Sequence, residues 1–170
     1  ITVLVLPIKK PEVGGFDLIV FDVGQGSSAL IKTANHYVLV DTGALFFNGL
    51  GVVDFVLMPH FRQQAISRLD MLHITHSDND HAGGEALLRG ISNKVTTQKN
   101  CKTQRWQYDA VTFERFQADG YKVGNNGSCL LKVTASSGQS VLFTGDIEKE
   151  AEAQLVQQKA DLASNVLIAP

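Results

Sequence analysis

Thr75-His76-Ser77-Asp78-Asn79-Asp80-His81-Ala82-Gly83-Gly84 is the stretch on which the reading of this sequence turns. Four side chains able to ligate a metal, His76, Asp78, Asp80 and His81, crowd into six positions. Charge packed this densely is costly without a counter-ion, and imidazole nitrogens and carboxylate oxygens at alternate positions of a tight loop can converge on one or two divalent cations. The paired glycines let the backbone turn sharply beneath them. A polar turn with surface histidines is the bland alternative. The setting argues against it: Arg68–Thr75 has strand character, and Glu85–Arg89 begins a helix that stops at Gly90, so the loop joins a strand to a helix where functional side chains are usually presented.

Outward from this loop, short β-rich runs alternate with turns. Phe16–Val23, Ser28–Lys32 and Tyr37–Val40 read as a meander of three antiparallel strands, turning at Gly24-Gln25-Gly26 and ending on Asp41-Thr42-Gly43. Their apolar runs are almost unbroken, which fits strands covered on both faces. Val52–Ile66 has helical spacing, with Met58-Pro59 opening or kinking it. Downstream, Ile91–Lys99 reads as a short strand fading into a polar loop, and Val111–Phe116, Ser128–Thr134 and Ser140–Phe143 as three more strands. Asp146 is placed to cap a helix over Ile147–Lys159. Asn165–Ala169 is a last strand, and Ile1–Pro7 is a first one, too short and wrongly flanked for a secretory leader. Strands, helix, strands, helix, strand predicts an α+β domain over 1–170, two sheets face to face with helices outside: an αββα sandwich.

Composition bounds the function. With 170 residues, 44% of them hydrophobic, the chain can bury a core and is not disordered. No apolar run is long enough to cross a bilayer. Fifteen basic against seventeen acidic side chains leave a net charge of −2, so no global positive field recruits a polyanion and any nucleic-acid contact is local. The one acid-free basic stretch, Lys94, Lys99, Lys102 and Arg105 followed by Trp106 and Tyr108, has the composition of a small backbone-and-stacking surface for single-stranded DNA, or of a solvated loop. Cys101 and Cys129 form no C-x-x-C pair, which removes zinc-finger and thioredoxin readings and leaves two thiols or one disulfide. His36, His60 and His73 stand outside the charged loop, and His73, alternating with Leu72 and Ile74, reads as a packing residue. Leu45–Leu50 is an apolar loop that either packs internally or faces a partner domain.

The pattern His-x-Asp-x-Asp-His-x-Gly-Gly resembles the metallo-β-lactamase-fold hydrolases, whose usual form has His at the position of Asp78. With Phe21-Asp22-Val23-Gly24-Gln25-Gly26, Val40-Asp41-Thr42-Gly43, Asn125-Asn126-Gly127-Ser128-Cys129 and Leu142-Phe143-Thr144-Gly145-Asp146-Ile147-Glu148, it resembles the hydrolase domain of ComEC competence proteins, which act in DNA uptake. The match runs from about Phe16 to Pro170. The resemblance implies a metallo-β-lactamase-like fold, C-terminally truncated ahead of the family's last His-His-Gly-Ser motif. It assigns His76 and Asp78 to one metal, Asp80 and His81 to a second, Asp146 as the bridge, and Asp80 as the catalytic residue that orients the attacking water. An aspartate for a histidine hardens the ligand set, so two manganese ions are favoured, with zinc as the alternative. Asp41 buttresses the loop from behind. Where ordinary members carry a further histidine, Asn125, Asn126 and Ser128 stand ready to position a phosphate or water, or simply form an Asn-Gly turn.

The function implied is a metal-dependent phosphodiesterase or nuclease domain of a membrane DNA-uptake protein, degrading the strand that is not imported. The alternative is a non-catalytic DNA-guiding or assembly module. Its partners are single-stranded DNA and the transmembrane channel and other domains of the parent protein, with no organic cofactor, on the extracytoplasmic, periplasmic side of the inner membrane. In that compartment a Cys101–Cys129 disulfide is expected, contributing about 3 kcal/mol through loop closure.

Overall fold

Register decides which side chains form which layer. In the computed structural model, which describes residues 10–169, β1 (Asp17–Val20), β2 (Ala29–Lys32) and β3 (Tyr37–Val40) pair antiparallel, with Ala29 opposite Val40 and Ile31 opposite Val38. The two-residue side-chain period then puts Ala29, Ile31, Val38 and Val40 on one face and Leu30 and Leu39 on the other, and all six are buried. This is the physical meaning of the unbroken apolar runs. β4 (Met71–His73) and β5 (Val95–Thr96) join β3 in parallel to complete a five-stranded sheet.

The second sheet is built from β6 (Gln104–Tyr108), β7 (Val111–Phe116), β8 (Leu130–Thr134) and β9 (Ser140–Phe143), antiparallel in turn, with β10 (Val166–Ile168) parallel to β9. The inner faces meet through Ala29, Ile31, Val38, Val40 and Met71 against Val111, Phe113, Leu131, Val133, Val141 and Phe143. Outside the first sheet a helical stretch packs Val53, Leu57 and Phe61 on Leu30, Leu39 and Leu72. It runs as a wide turn, Val53–Leu57, into α1 (Met58–Gln63), with Pro59 in the first turn of α1, where a missing N–H is tolerated. Outside the second sheet, α4 (Lys149–Gln157) lays Ala151 and Leu155 on Leu130 and Leu142. The expected αββα sandwich is the observed one.

Several expectations shift. The strand foreseen over Ile91–Lys99 is only β5, between short 3-10 turns at Arg89–Ile91 and Gln98–Asn100. Asp146 caps no helix: α4 starts at Lys149, and the Glu148 N–H is met instead by Asn126 Oδ1 at 2.8 Å. The end of the basic stretch, Arg105 with Trp106 and Tyr108, lies in an edge strand, β6, that the sequence reading missed; alternation of Trp106 and Tyr108 toward the inter-sheet core is its signature. The strand expected over Ile1–Pro7 lies outside the described residues. Cys101 and Cys129 are joined, with their Cα atoms 5.8 Å apart.

Candidate metal centre

Three of the key side chains follow the C-terminal ends of strands that reach one edge of the sandwich: Asp41 after β3, His76 after β4 and Asp146 after β9. The loop carrying the remaining candidates folds into two short helical turns, α2 (Asn79–Ala82) and α3 (Glu85–Leu88). Two glycines let it sit tightly. A Cβ at Gly26 would lie 2.1 Å from the Asp80 carbonyl oxygen, and one at Gly83 would lie 2.3 Å from the Leu45 nitrogen. Backbone hydrogen bonds lock the same contacts: Ser27 N–H to Asp80 O at 3.1 Å and Thr42 N–H to His81 O at 2.7 Å. Thr42 Oγ1 also accepts from Gly84 N–H at 2.8 Å.

Beneath the loop Asp41 is 1% exposed, in a left-handed backbone conformation with φ of 55°. Its Oδ1 accepts from Thr75 N–H at 2.8 Å, and its Oδ2 accepts from Thr75 Oγ1 and from His81 Nδ1, each at 2.8 Å. An ionised carboxylate only accepts, so His81 carries its proton on Nδ1 and Thr75 has spent its single hydroxyl proton. Thr75 Oγ1, 3.1 Å from His76 Nδ1, can then only accept from it. One buried carboxylate thus sets the tautomer of both imidazoles and turns both Nε2 lone pairs the same way.

Those lone pairs meet the carboxylate of Asp146. His81 Nε2 is 3.1 Å from its Oδ1 and His76 Nε2 is 3.8 Å from its Oδ2, and the two imidazole centroids are 4.2 Å apart. Two acceptors at 3.1 Å repel unless a proton or a cation lies between them. Burial opposes protonation of His81, but the hydrogen bond and charge of Asp41 and the charges of Asp146 and Asp80 outweigh it and hold its pKa above the ordinary imidazole value. His76 Nε2 is buried with no hydrogen-bond partner, as is Asp146 Oδ1. An orphaned imidazole nitrogen beside an orphaned carboxylate oxygen is a donor set that fits a divalent cation, and His76, His81 and Asp146 each offer a ligand atom within 4.8 Å of the others.

Asp78 reaches the cluster from its solvent side, with Oδ2 3.7 Å from His76 Nε2 and a half-exposed side chain. Asp80 lines a cleft of about 340 Å³ together with His81, Asp146, Asp41, Thr75 and Gln25. The structure therefore gathers all five proposed ligands and Asp41 at one edge. Asn125 and Asn126 are engaged elsewhere, their amides reaching Glu148 at 3.3 and 3.5 Å, while the buried Ser128 hydroxyl donates to Asn125 O at 2.7 Å. None of the three lines the cleft. Thr75 and Thr42 were not singled out from sequence, where a threonine beside a histidine carries no distinctive signal.

The basic candidates do not converge as a stacking surface. Trp106 stacks on Phe113 with centroids 5.5 Å apart, and Lys94 and the guanidinium of the buried Arg115 lie over its ring at 5.7 Å, so its faces are occupied within the protein. Lys99 in the Gln98–Asn100 turn, Lys102 in the loop ahead of β6 and Arg105 within β6 are exposed. His73 is fully buried, donates from Nε2 to Cys129 O at 2.8 Å, and has its pKa lowered by burial, as expected of a packing histidine.

No family model matches the chain. It is 36% identical over 161 residues to competence protein ComA of Neisseria gonorrhoeae, covering 88% of this chain and 22% of that protein. It is 30% identical over 146 residues to recombination protein 2 of Haemophilus influenzae (77% and 18%) and 24% identical over 194 residues to ComE operon protein 3 of Bacillus subtilis (91% and 25%). The chain spans about a fifth of the length of the curated relatives it matches. Among solved structures, a B3 metallo-β-lactamase with an active-site glutamic acid superposes with a TM-score of 0.64 at 17% identity, covering 96% of this chain and 78% of that one, a likeness of fold.

Proposed function

We propose that this chain, which is a metallo-β-lactamase-fold domain of the ComEC competence-protein type, is a divalent-metal phosphodiesterase that cuts DNA during uptake. The observation that carries the reading is the pair of imidazole lone pairs, oriented by Asp41 directly for His81 and through Thr75 for His76, facing Asp146 with His76 Nε2 left unpartnered in a buried site. His76 with Asp78, His81 with Asp80, and Asp146 would together hold two cations, manganese being favoured by the oxygen-rich set. When bound, such ions supply charge neutralisation and Lewis-acid polarisation to a phosphodiester. Asp41 keeps both imidazoles in the ligating tautomer from behind them. Asp80, half-exposed on the cleft, is placed to accept a proton from the attacking water and to hold that water in line.

The Cys101–Cys129 bond supports a place on the extracytoplasmic side, because disulfides persist in oxidising compartments. Among the described residues no helix is long and apolar enough to cross a membrane, so attachment to a channel would come through other parts of the parent polypeptide. A 5′-labelled single-stranded oligodeoxynucleotide incubated with the protein and Mn²⁺ tests the activity. Cleavage that is abolished by chelation and by Asp80→Ala is expected. Cleavage equal in wild type and Asp80→Ala would refute the assignment.

A further inference from the structure

Beside the metal loop, residues 44–51 (Ala-Leu-Phe-Phe-Asn-Gly-Leu-Gly) form a tight hairpin that presents aromatic side chains to solvent. Phe46 N–H donates to Leu50 O at 2.8 Å, Gly49 N–H to Phe46 O at 3.0 Å, and Leu50 N–H to Asn48 Oδ1 at 3.1 Å. The hairpin is fastened to the metal loop itself: the Asn79 amide accepts from Leu45 N–H at 3.3 Å and donates to Leu45 O at 3.0 Å. These bonds hold the turn although its apolar groups contribute little to the core, for Phe46 is 48% exposed and Phe47 wholly so. Exposing two adjacent phenyl groups on a fastened turn forgoes burial that a free chain would seek.

A groove runs from this hairpin to the proposed ligands, lined by Val23, Gln25, Ala44, Phe46, Asn79 and Asp80. Gln25 and Asp80 also line the metal cleft, so groove and cleft are continuous. The groove contains no lysine or arginine, which is unsuited to a phosphate but suited to a neutral ring. Gln25 is exposed, and among the described residues its amide makes no hydrogen bond, leaving a donor and an acceptor at the groove's rim. A phenyl face beside a free amide is the chemistry that receives an unstacked nucleobase. An anionic lipid surface would call for basic residues flanking the apolar turn, and residues 44–51 have none.

We propose that Phe46 forms a base-stacking platform which holds the unpaired base of a nucleotide flanking the phosphate at the adjacent centre. The proposal rests on the phosphodiesterase reading, and its test separates the two. Fluorescence anisotropy of the Mn²⁺-loaded protein would be measured with labelled, cleavage-resistant phosphorothioate dT12, with an abasic oligodeoxynucleotide of equal length, charge and linkage, and with a dT12–dA12 duplex of the same linkage. With the wild-type protein as background, dT12 should bind more tightly than either competitor. Phe46→Ala should weaken dT12 binding about tenfold or more while leaving abasic binding and Mn²⁺ content unchanged, as expected for loss of one stacked base. Phe46 is 48% exposed and belongs to none of the core clusters, so its truncation spares the fold. Phe46→Trp should keep binding and show indole quenching by dT12, whereas Phe46→Leu, apolar without a π face, should bind as weakly as Phe46→Ala.

Equal binding of dT12 by the Phe46→Ala and background proteins would overturn the platform while leaving the metal reading standing. Failure of the background protein to bind any oligonucleotide, with its Mn²⁺ in place, would overturn both. If Phe46→Ala leaves dT12 binding intact but abolishes co-sedimentation with phosphatidylcholine vesicles or self-association on sizing, the turn serves a membrane or a second copy and the proposal fails.

Discussion

Replacing both cysteines, as Cys101→Ala with Cys129→Ala, has a cost that can be worked from the chain. The bond closes a loop between residues 28 apart, and the loop-closure relation for that length gives about 3.5 kcal/mol at 25 °C. For a domain of this size the unfolding entropy near the midpoint is roughly 350 cal/mol/K, so Tm should fall by about 10 °C. Nothing in the folded state need change, because the links across this region remain: Cys129 N–H to Thr75 O and His73 Nε2 to Cys129 O, each at 2.8 Å. The bond acts on the unfolded chain, so Mn²⁺ affinity of the folded double variant should stay within about threefold of wild type, in contrast to the Tm. Differential scanning calorimetry with and without reductant is the assay. Reductant should lower the wild-type Tm toward that of the double variant and leave the variant unmoved. A wild-type Tm indifferent to reductant, with two alkylatable thiols in the untreated protein, would show that no such bond stabilises the domain.

Asp41→Asn keeps the shape but places a donor against donors; Mn²⁺ affinity by calorimetric titration should drop about 10- to 100-fold, with stability falling by about 1–3 kcal/mol in urea unfolding. Gly26→Ala puts a Cβ into the Asp80 carbonyl at a φ of 104°, and about 1–3 kcal/mol of stability should be lost together with metal affinity, whereas Gly24→Ala, with nothing within 4 Å, should cost less. Asp109, in the turn between β6 and β7, accepts from Thr33 Oγ1, from the Asn35 backbone and amide, and from His36 Nδ1, linking the second sheet to the β2–β3 turn. Desolvation works to raise its pKa, but these bonds prevail and hold it well below the usual carboxylate range. A depressed folded pKa means the contribution is present above pH ~4 and lost as pH falls below it. The stability gap between wild type and Asp109→Asn, about 1–2 kcal/mol at pH 7, should therefore be flat from pH 7 to 5 and shrink below pH 4.

Much of the architecture was legible because burial on both faces leaves a mark in sequence. Leu30 with Ile31 and Leu39 with Val40 pack on opposite sides of one sheet, and only an unbroken apolar run can do that. β6 was not legible, since its outward Arg105 and Gln107 and the bases before it look like a loop until Trp106 and Tyr108 are seen to alternate inward. Asp146 misled for a related reason: an aspartate just ahead of a helix resembles a cap, and only the fold shows it turned toward two imidazoles while Asn126 meets the helix end. The ligating types and their loop could be read from spacing. The relay through Thr75, and the use of Gly26 to seat Asp80, arise from contacts between segments about 30 to 55 residues apart, which no local pattern encodes.

The orphaned nitrogen of His76, with His81 and Asp146, marks a cation site. Crystals of the protein soaked in MnCl₂ and measured for anomalous scattering test this most directly. A peak within ligand distance of His76 Nε2, His81 Nε2 and the Asp146 carboxylate is the predicted result; a featureless map there, with the three side chains positioned as described, would contradict it.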